Sequence, residues 1–118
     1  MDLKQFVQQS LGTTRFQVEG VFRGLSDPDA NFKVSEHSMS PAECLAHLTE
    51  CCVAFITISE GGEHNWGTFV PKGKTLAELQ GEWSEARETC EQLVQNQFSD
   101  SIATNAMDYH ALHDAYHV

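Results

Sequence analysis

Four stripes of apolar residues at helical spacing, set apart by strong breaks, constrain this chain more than any other feature. Leu3, Val7, Leu11, Thr14, Val18, Val21 and Leu25 follow one another in steps of three and four. They lie on one face of a helix, which Ser26-Asp27-Pro28-Asp29 ends. The second pattern opens at Ser40-Pro41-Ala42-Glu43. Ser40 caps the first free N–H groups, Glu43 reaches back to close a capping box, and Pro41 sits where its missing N–H costs nothing. Cys44, Leu45, His47, Leu48, Cys51, Cys52, Phe55 and Ile58 then fall within roughly 160° of arc. Gly61-Gly62 stops this helix. After a loop to about residue 74, Thr75-Leu76-Ala77-Glu78 forms a second capping box. Leu76, Leu79, Trp83, Ala86, Cys90 and Leu93 give the cleanest heptad of the chain. The last pattern starts near Asp100-Ser101 and runs through Ile102, Ala106, Tyr109, His113 and Tyr116/His117. No pair of strands competes, so the expectation is an all-α four-helix bundle.

With 118 residues, of which 41% are hydrophobic, the chain is expected to form a single domain with one core. Its net charge of −10 repels phosphate backbones and anionic lipid surfaces, so neither nucleic acid nor membrane is expected as a partner. No apolar run stands out as a bilayer span, and Met1-Asp2-Leu3-Lys4-Gln5-Phe6 does not read as a signal peptide. A cytoplasmic protein is therefore expected. Cys44, Cys51, Cys52 and Cys90 have no disulfide-framework spacing and read as reduced thiols.

The chemistry lies in the histidines. His113 and His117 are one helical turn apart, which lets two imidazoles reach one ion. Both fall on the expected core stripe of their helix, and His47 falls at the edge of the stripe of its own. Three imidazoles aimed into a core need partners if neutral and are costly if charged. Two readings are open at this point: hydrogen-bonded core residues, or three ligands of one divalent cation with a further position free, as in catalytic zinc sites. His110 shares a face with His113 and is read as a residue at the mouth of the bundle, a fourth ligand and a supporting group being the alternatives. His37 and His64 are read as surface residues. Cys44 and Cys51 flank His47, where a thiolate ligand is conceivable but small apolar filler is the default, as it is for Cys90. Trp83 is read as a core anchor. Trp66 either lines a pocket or covers the end of the bundle. Asp114 points roughly 100° away from His113, and Glu50 roughly 60° from His47 towards the polar side, so neither is placed as a general base.

Two motifs, Ala42-Glu43-Cys44-Leu45-Ala46-His47-Leu48-Thr49-Glu50 and Leu112-His113-Asp114-Ala115-Tyr116-His117-Val118, resemble those of the DinB superfamily of DinB/YfiT-like metalloenzymes. A long first helix, the Leu-Ser-Asp turn at residues 25–27 and the Ser-Pro-x-Glu opening at 40–43 match as well. The likeness covers nearly the whole chain. It implies an up-down-down-up bundle and a three-histidine site for zinc, nickel or iron on His47, His113 and His117. It also implies homodimers. Related activities include thiol-dependent S-transfer, which joins a small-molecule thiol to an electrophile, and a mycothiol-dependent isomerisation. Family members continue for further helical turns after the last histidine, so residues 1–118 are expected to be one DinB-like domain lacking the family's C-terminal part.

Function is accordingly expected to be metal-dependent S-transfer to a small electrophile. Alternatives from other classes are a non-catalytic metal-binding or interaction bundle and a metal-dependent hydrolase.

Overall fold

A computed structural model describes residues 1–117, with Ala115 and Tyr116 described by their backbone alone. The expectations for the Tyr116 side chain and for Val118 lie outside the described residues. Four helical rods and no strand are found among those described: α1 (Leu3–Arg23), α2 (Pro41–Ser59), α3 (Leu76–Asn96) and a last rod. That rod is made of α4 (Asp100–Ala106), a wide π turn (Met107–Ala111) and α5 (Leu112–His117). A short 3-10 turn, Asp27–Asp29, follows α1.

The local signals act as the sequence suggests. The Ser40 side chain accepts from the Glu43 N–H, the Glu43 carboxylate accepts from the Ser40 N–H, and Pro41 is the first helical residue. Thr75 and Glu78 form the same reciprocal pair at α3, and Asp2 with Gln5 forms a third at α1. After α2, Gly61 takes a φ of +87°, a left-handed turn that only glycine adopts at little cost.

Val7, Leu11, Val18, Phe22, Leu45, Leu48, Cys52, Phe55, Leu79, Trp83, Cys90, Val94 and Ile102 make one continuous core. α2 packs against α3, α1 packs against α3, and the last rod closes over α1 and α2. In α1 the inward residue near the end is Phe22, 4% exposed, and the expected Val21 is 46% exposed. The step from Val18 is thus four residues, which keeps the larger ring inside. In α3 the stripe contains Arg87 and Val94 in full, while Ala86 and Leu93 are only half-buried.

α2 has the length and mean hydropathy of a membrane-spanning helix, 19 residues at 1.3. This corrects the expectation that no such run exists. Its apolarity is that of a core helix: Leu45, Leu48, Cys52 and Phe55 face the other rods.

The last rod departs most from expectation. A straight α-helix drifts by about 40° at each step of four residues. The wide turn takes up one extra residue, so Ile102, Ala106, His110 and Asp114 all stay buried. Tyr109 and His113, expected on the core stripe, are half-buried at its side.

Carboxylates fasten the long loop between α2 and α3. Glu82 accepts from the N–H groups of Lys72 and Gly73, each at 3.0 Å. Glu78 accepts from Thr75 at 3.0 Å. The loop runs so close to α3 that a Cβ on Gly73 would lie 2.9 Å from the Leu79 nitrogen.

Candidate metal centre

His47 on α2 and His113 and His117 on α5 meet at the junction of the two rods. The Nε2 atoms of His47 and His113 are 3.0 Å apart, and those of His117 and His113 are 3.1 Å apart. The rings meet edge to face, with centroids 4.5–4.8 Å apart. All three residues are half-buried.

Hydrogen bonding alone does not satisfy this arrangement. Each Nε2 offers either one hydrogen or one lone pair, and His113 Nε2 faces two others. Burial, and beyond it the neighbouring His117 and His47, pushes the His113 pKa down to about 4. His117 is lowered by burial and by His47. Imidazoles whose ring nitrogens converge are what a divalent cation takes. Ligand nitrogens at 2.0–2.1 Å from zinc stand about 2.8–3.4 Å from one another at angles of 90–109°, a range that contains both spacings around His113.

His113 is also held from behind. Its Nδ1 lies 3.3 Å from Cys51 Sγ. Burial, helped by the charges of Cys52, Asp114 and Glu50, pushes the Cys51 thiol up to about 12, so the sulfur remains a thiol. With the hydrogen on Nδ1, the ring donates to this sulfur and turns its Nε2 lone pair towards the other two histidines. Such an outer contact is what orients a ligand imidazole. Cys51 thus supports the site, and its spacing of four from His47 was the available sign.

Glu50 and Asp114, close in sequence to the three histidines, are committed elsewhere. Glu50, expected towards the polar side, is 8% exposed. It accepts from His64 Nε2 at 2.9 Å and from the Gly67 N–H at 3.0 Å. His64, expected at the surface, is therefore buried at its side chain, 8% exposed. Burial alone would raise the Glu50 carboxyl, but the bonds from His64 and Gly67 outweigh it and hold it below its ordinary 4.5. A depressed carboxyl adds stability above its unfolded value and loses it as pH falls through the folded one. Glu50→Gln is accordingly expected to cost about 1 kcal/mol at pH 7. Urea titrations of both proteins should show that difference shrink as pH drops below 4.5. A difference that does not change with pH would contradict the assignment.

Asp114 is buried against Arg87, which donates to it from Nη1. Burial raises the Asp114 carboxyl, and Arg87 only partly opposes this. From Nη2, Arg87 also donates to Thr14 Oγ1 at 2.8 Å and to the Leu11 carbonyl at 3.1 Å. The sequence reading missed this pair, although a charged residue four after Trp83 on the cleanest stripe was the signal. His110, expected at the mouth of the bundle, is wholly buried, because the wide turn rotates it inward.

A cleft of about 700 Å³ reaches the centre at His117 and Cys44. Phe22, Leu25, Phe32, Val34 and Met39 give it apolar walls. Trp66 is half-exposed, meets His64 edge to face at 4.7 Å and stacks on Tyr109 at 6.1 Å, so it covers the middle of the last rod at the wide turn. His37 is exposed, as expected.

The family model of the DinB superfamily matches residues 10–118. The chain belongs to the DinB superfamily. No curated protein and no solved structure gives a significant match. For this DinB-superfamily chain, the histidine cluster is the group whose donors best fit a divalent ion.

Proposed function

We propose that this protein holds one divalent cation on His47, His113 and His117 and transfers a small-molecule thiol to an electrophile. The observation that carries the reading is the convergence of three Nε2 atoms, with His113 Nε2 3.0 and 3.1 Å from the other two, beside an apolar cleft. Zinc, nickel or iron suits three imidazoles. A cation bound there would take the thiol at a free position and lower its pKa to give a thiolate.

The chain's own residues account for the rest. Cys51 fixes the ring of His113. Phe32, Val34 and Met39 offer an apolar electrophile a wall beside His117. Glu50 and Asp114 are bound to His64 and Arg87, so neither carboxylate is available to take a proton from water. Hydrolysis needs such a base more than thiol transfer does, and this favours transfer over the hydrolase alternative. The reading includes a cytoplasmic homodimer of up-down-down-up four-helix bundles, as the family resemblance implies.

The test is to load the purified chain with zinc, nickel or ferrous iron and follow loss of thiol from mixtures of low-molecular-weight thiols and an apolar electrophile. Metal-dependent formation of the thioether is expected. A loaded protein that binds thiols at the metal but forms no adduct would favour the non-catalytic metal-binding bundle.

A further inference from the structure

The adjacent residues Cys51 and Cys52 face different surroundings. Cys51 lies behind His113, whereas Cys52 points into the centre of the molecule, where Cys90 of α3 and His110 of the wide turn meet it. The donor atoms of Cys52, Cys90 and His110 all lie within 4.8 Å of one another. Each residue is 0% exposed. Cys90 has a weak contact, 3.5 Å, to the Cys52 carbonyl. Neither ring nitrogen of His110 makes a well-formed hydrogen bond, the Tyr109 backbone offering only a weak polar contact.

That last observation calls for an explanation. A buried polar group without a partner is rare and costly, and this is an entire imidazole. Its ring packs on Phe55 at a centroid distance of 4.9 Å, an apolar contact that leaves the nitrogens unanswered. Both are ligand atoms, in company with two sulfurs.

We propose that Cys52, Cys90 and His110 form a second metal site, selective for cuprous ion. Three considerations narrow the choice. The donor set is sulfur-rich, and soft thiolates favour Cu(I) among the common ions. Structural zinc sites take four protein ligands, whereas this cluster offers three. Full burial leaves no water for a fourth position, as a catalytic zinc site would need. Binding forms two copper–sulfur bonds and one copper–nitrogen bond, and the two thiol protons leave to solvent. The metal stays cuprous, so no oxidant or reductant is required. The site shares no ligand with the three-histidine centre and does not depend on what that centre does.

The experiment uses the full chain, reduced and under anaerobic conditions, titrated with Cu(I) delivered from its bicinchoninate complex. His47→Ala with His113→Ala removes the first centre, and this variant is expected still to take up one Cu(I) per chain. X-ray absorption should show a shell of two sulfurs and one nitrogen. Cys52→Ala and Cys90→Ala should each weaken uptake by at least about a hundredfold, since loss of a ligand exceeds the 10–100-fold cost of losing an outer partner. In that same His47→Ala, His113→Ala background, where Cys51 has no ring left to support, Cys44→Ala with Cys51→Ala should leave uptake unchanged. A copper shell of nitrogen and oxygen alone, or uptake lost with Cys44 and Cys51 but kept without Cys52 and Cys90, would overturn the proposal. If the Cys52 and Cys90 variants do not fold, the absorption spectrum of the chain carrying His47→Ala, His113→Ala, Cys44→Ala and Cys51→Ala decides, because only Cys52 and Cys90 can then supply sulfur from cysteine.

Discussion

Arg87→Met is expected to destabilise the protein by about 3–5 kcal/mol, the usual cost of leaving one half of a buried ion pair unpaired. For a domain of this size that corresponds to a fall in Tm of roughly 10–20 °C. The reason is geometric. Arg87 is 0% exposed and Asp114 is 1% exposed. One guanidinium ties Asp114 on α5 to Thr14 and the Leu11 carbonyl on α1. Removing it leaves a buried carboxylate without its countercharge. Arg87→Met combined with Asp114→Leu should recover most of the loss, because the uncompensated charge is gone and apolar volume replaces it. Thermal and urea unfolding of the two variants read this directly. A loss below about 1 kcal/mol for Arg87→Met, the scale of an exposed pair, would mean that the pair is open to water in solution.

The second large effect concerns the histidines. About one divalent ion per chain is expected in the wild type after incubation with zinc, nickel or ferrous iron. His47→Ala and His113→Ala should each weaken that binding by more than about a hundredfold, beyond the range for an outer partner. Elemental mass spectrometry after desalting measures it. Cys51→Ala is the informative control: it touches only the Nδ1 side of His113, so its effect should fall within about 10–100-fold. Retention of full stoichiometry by both histidine variants would end the three-ligand reading, and with it the proposed thiol transfer.

What the sequence made legible was local. Ser40, Pro41 and Glu43 act within one turn, so the start of α2 could be read from four letters. The same holds for Thr75 and Glu78. His113 and His117 were found because four residues make one turn, and His47 because it adjoined a clear stripe. Most of the departures come from two assumptions of pattern reading, a fixed 100° per residue and a clean division of apolar from charged. The turn at Met107–Ala111 breaks the first assumption, so the pattern puts His110 at the mouth and gives no sign that Asp114 faces the core. Arg87 and Glu50 break the second, since each is a charge inside, held by a partner distant in sequence. No periodicity connects residue 87 to 114 or residue 50 to 64. Val21 was taken for Phe22 because steps of three and four are both allowed, and only packing chooses between them.

The wide turn has a consequence for how the last rod tolerates a change of length. A helix that bulges to hold one more residue than its neighbours demand carries one residue of slack. With that residue subtracted, Ile102, Ala106, His110 and Asp114 would follow the spacing of an ordinary α-helix, and His113 and His117 would still face His47. A variant of this chain with one residue deleted between Ala106 and Leu112 is therefore expected to keep His47, His113 and His117 in register. A second deletion would turn His113 and His117 away from His47, so this rod tolerates the loss of one residue and no more.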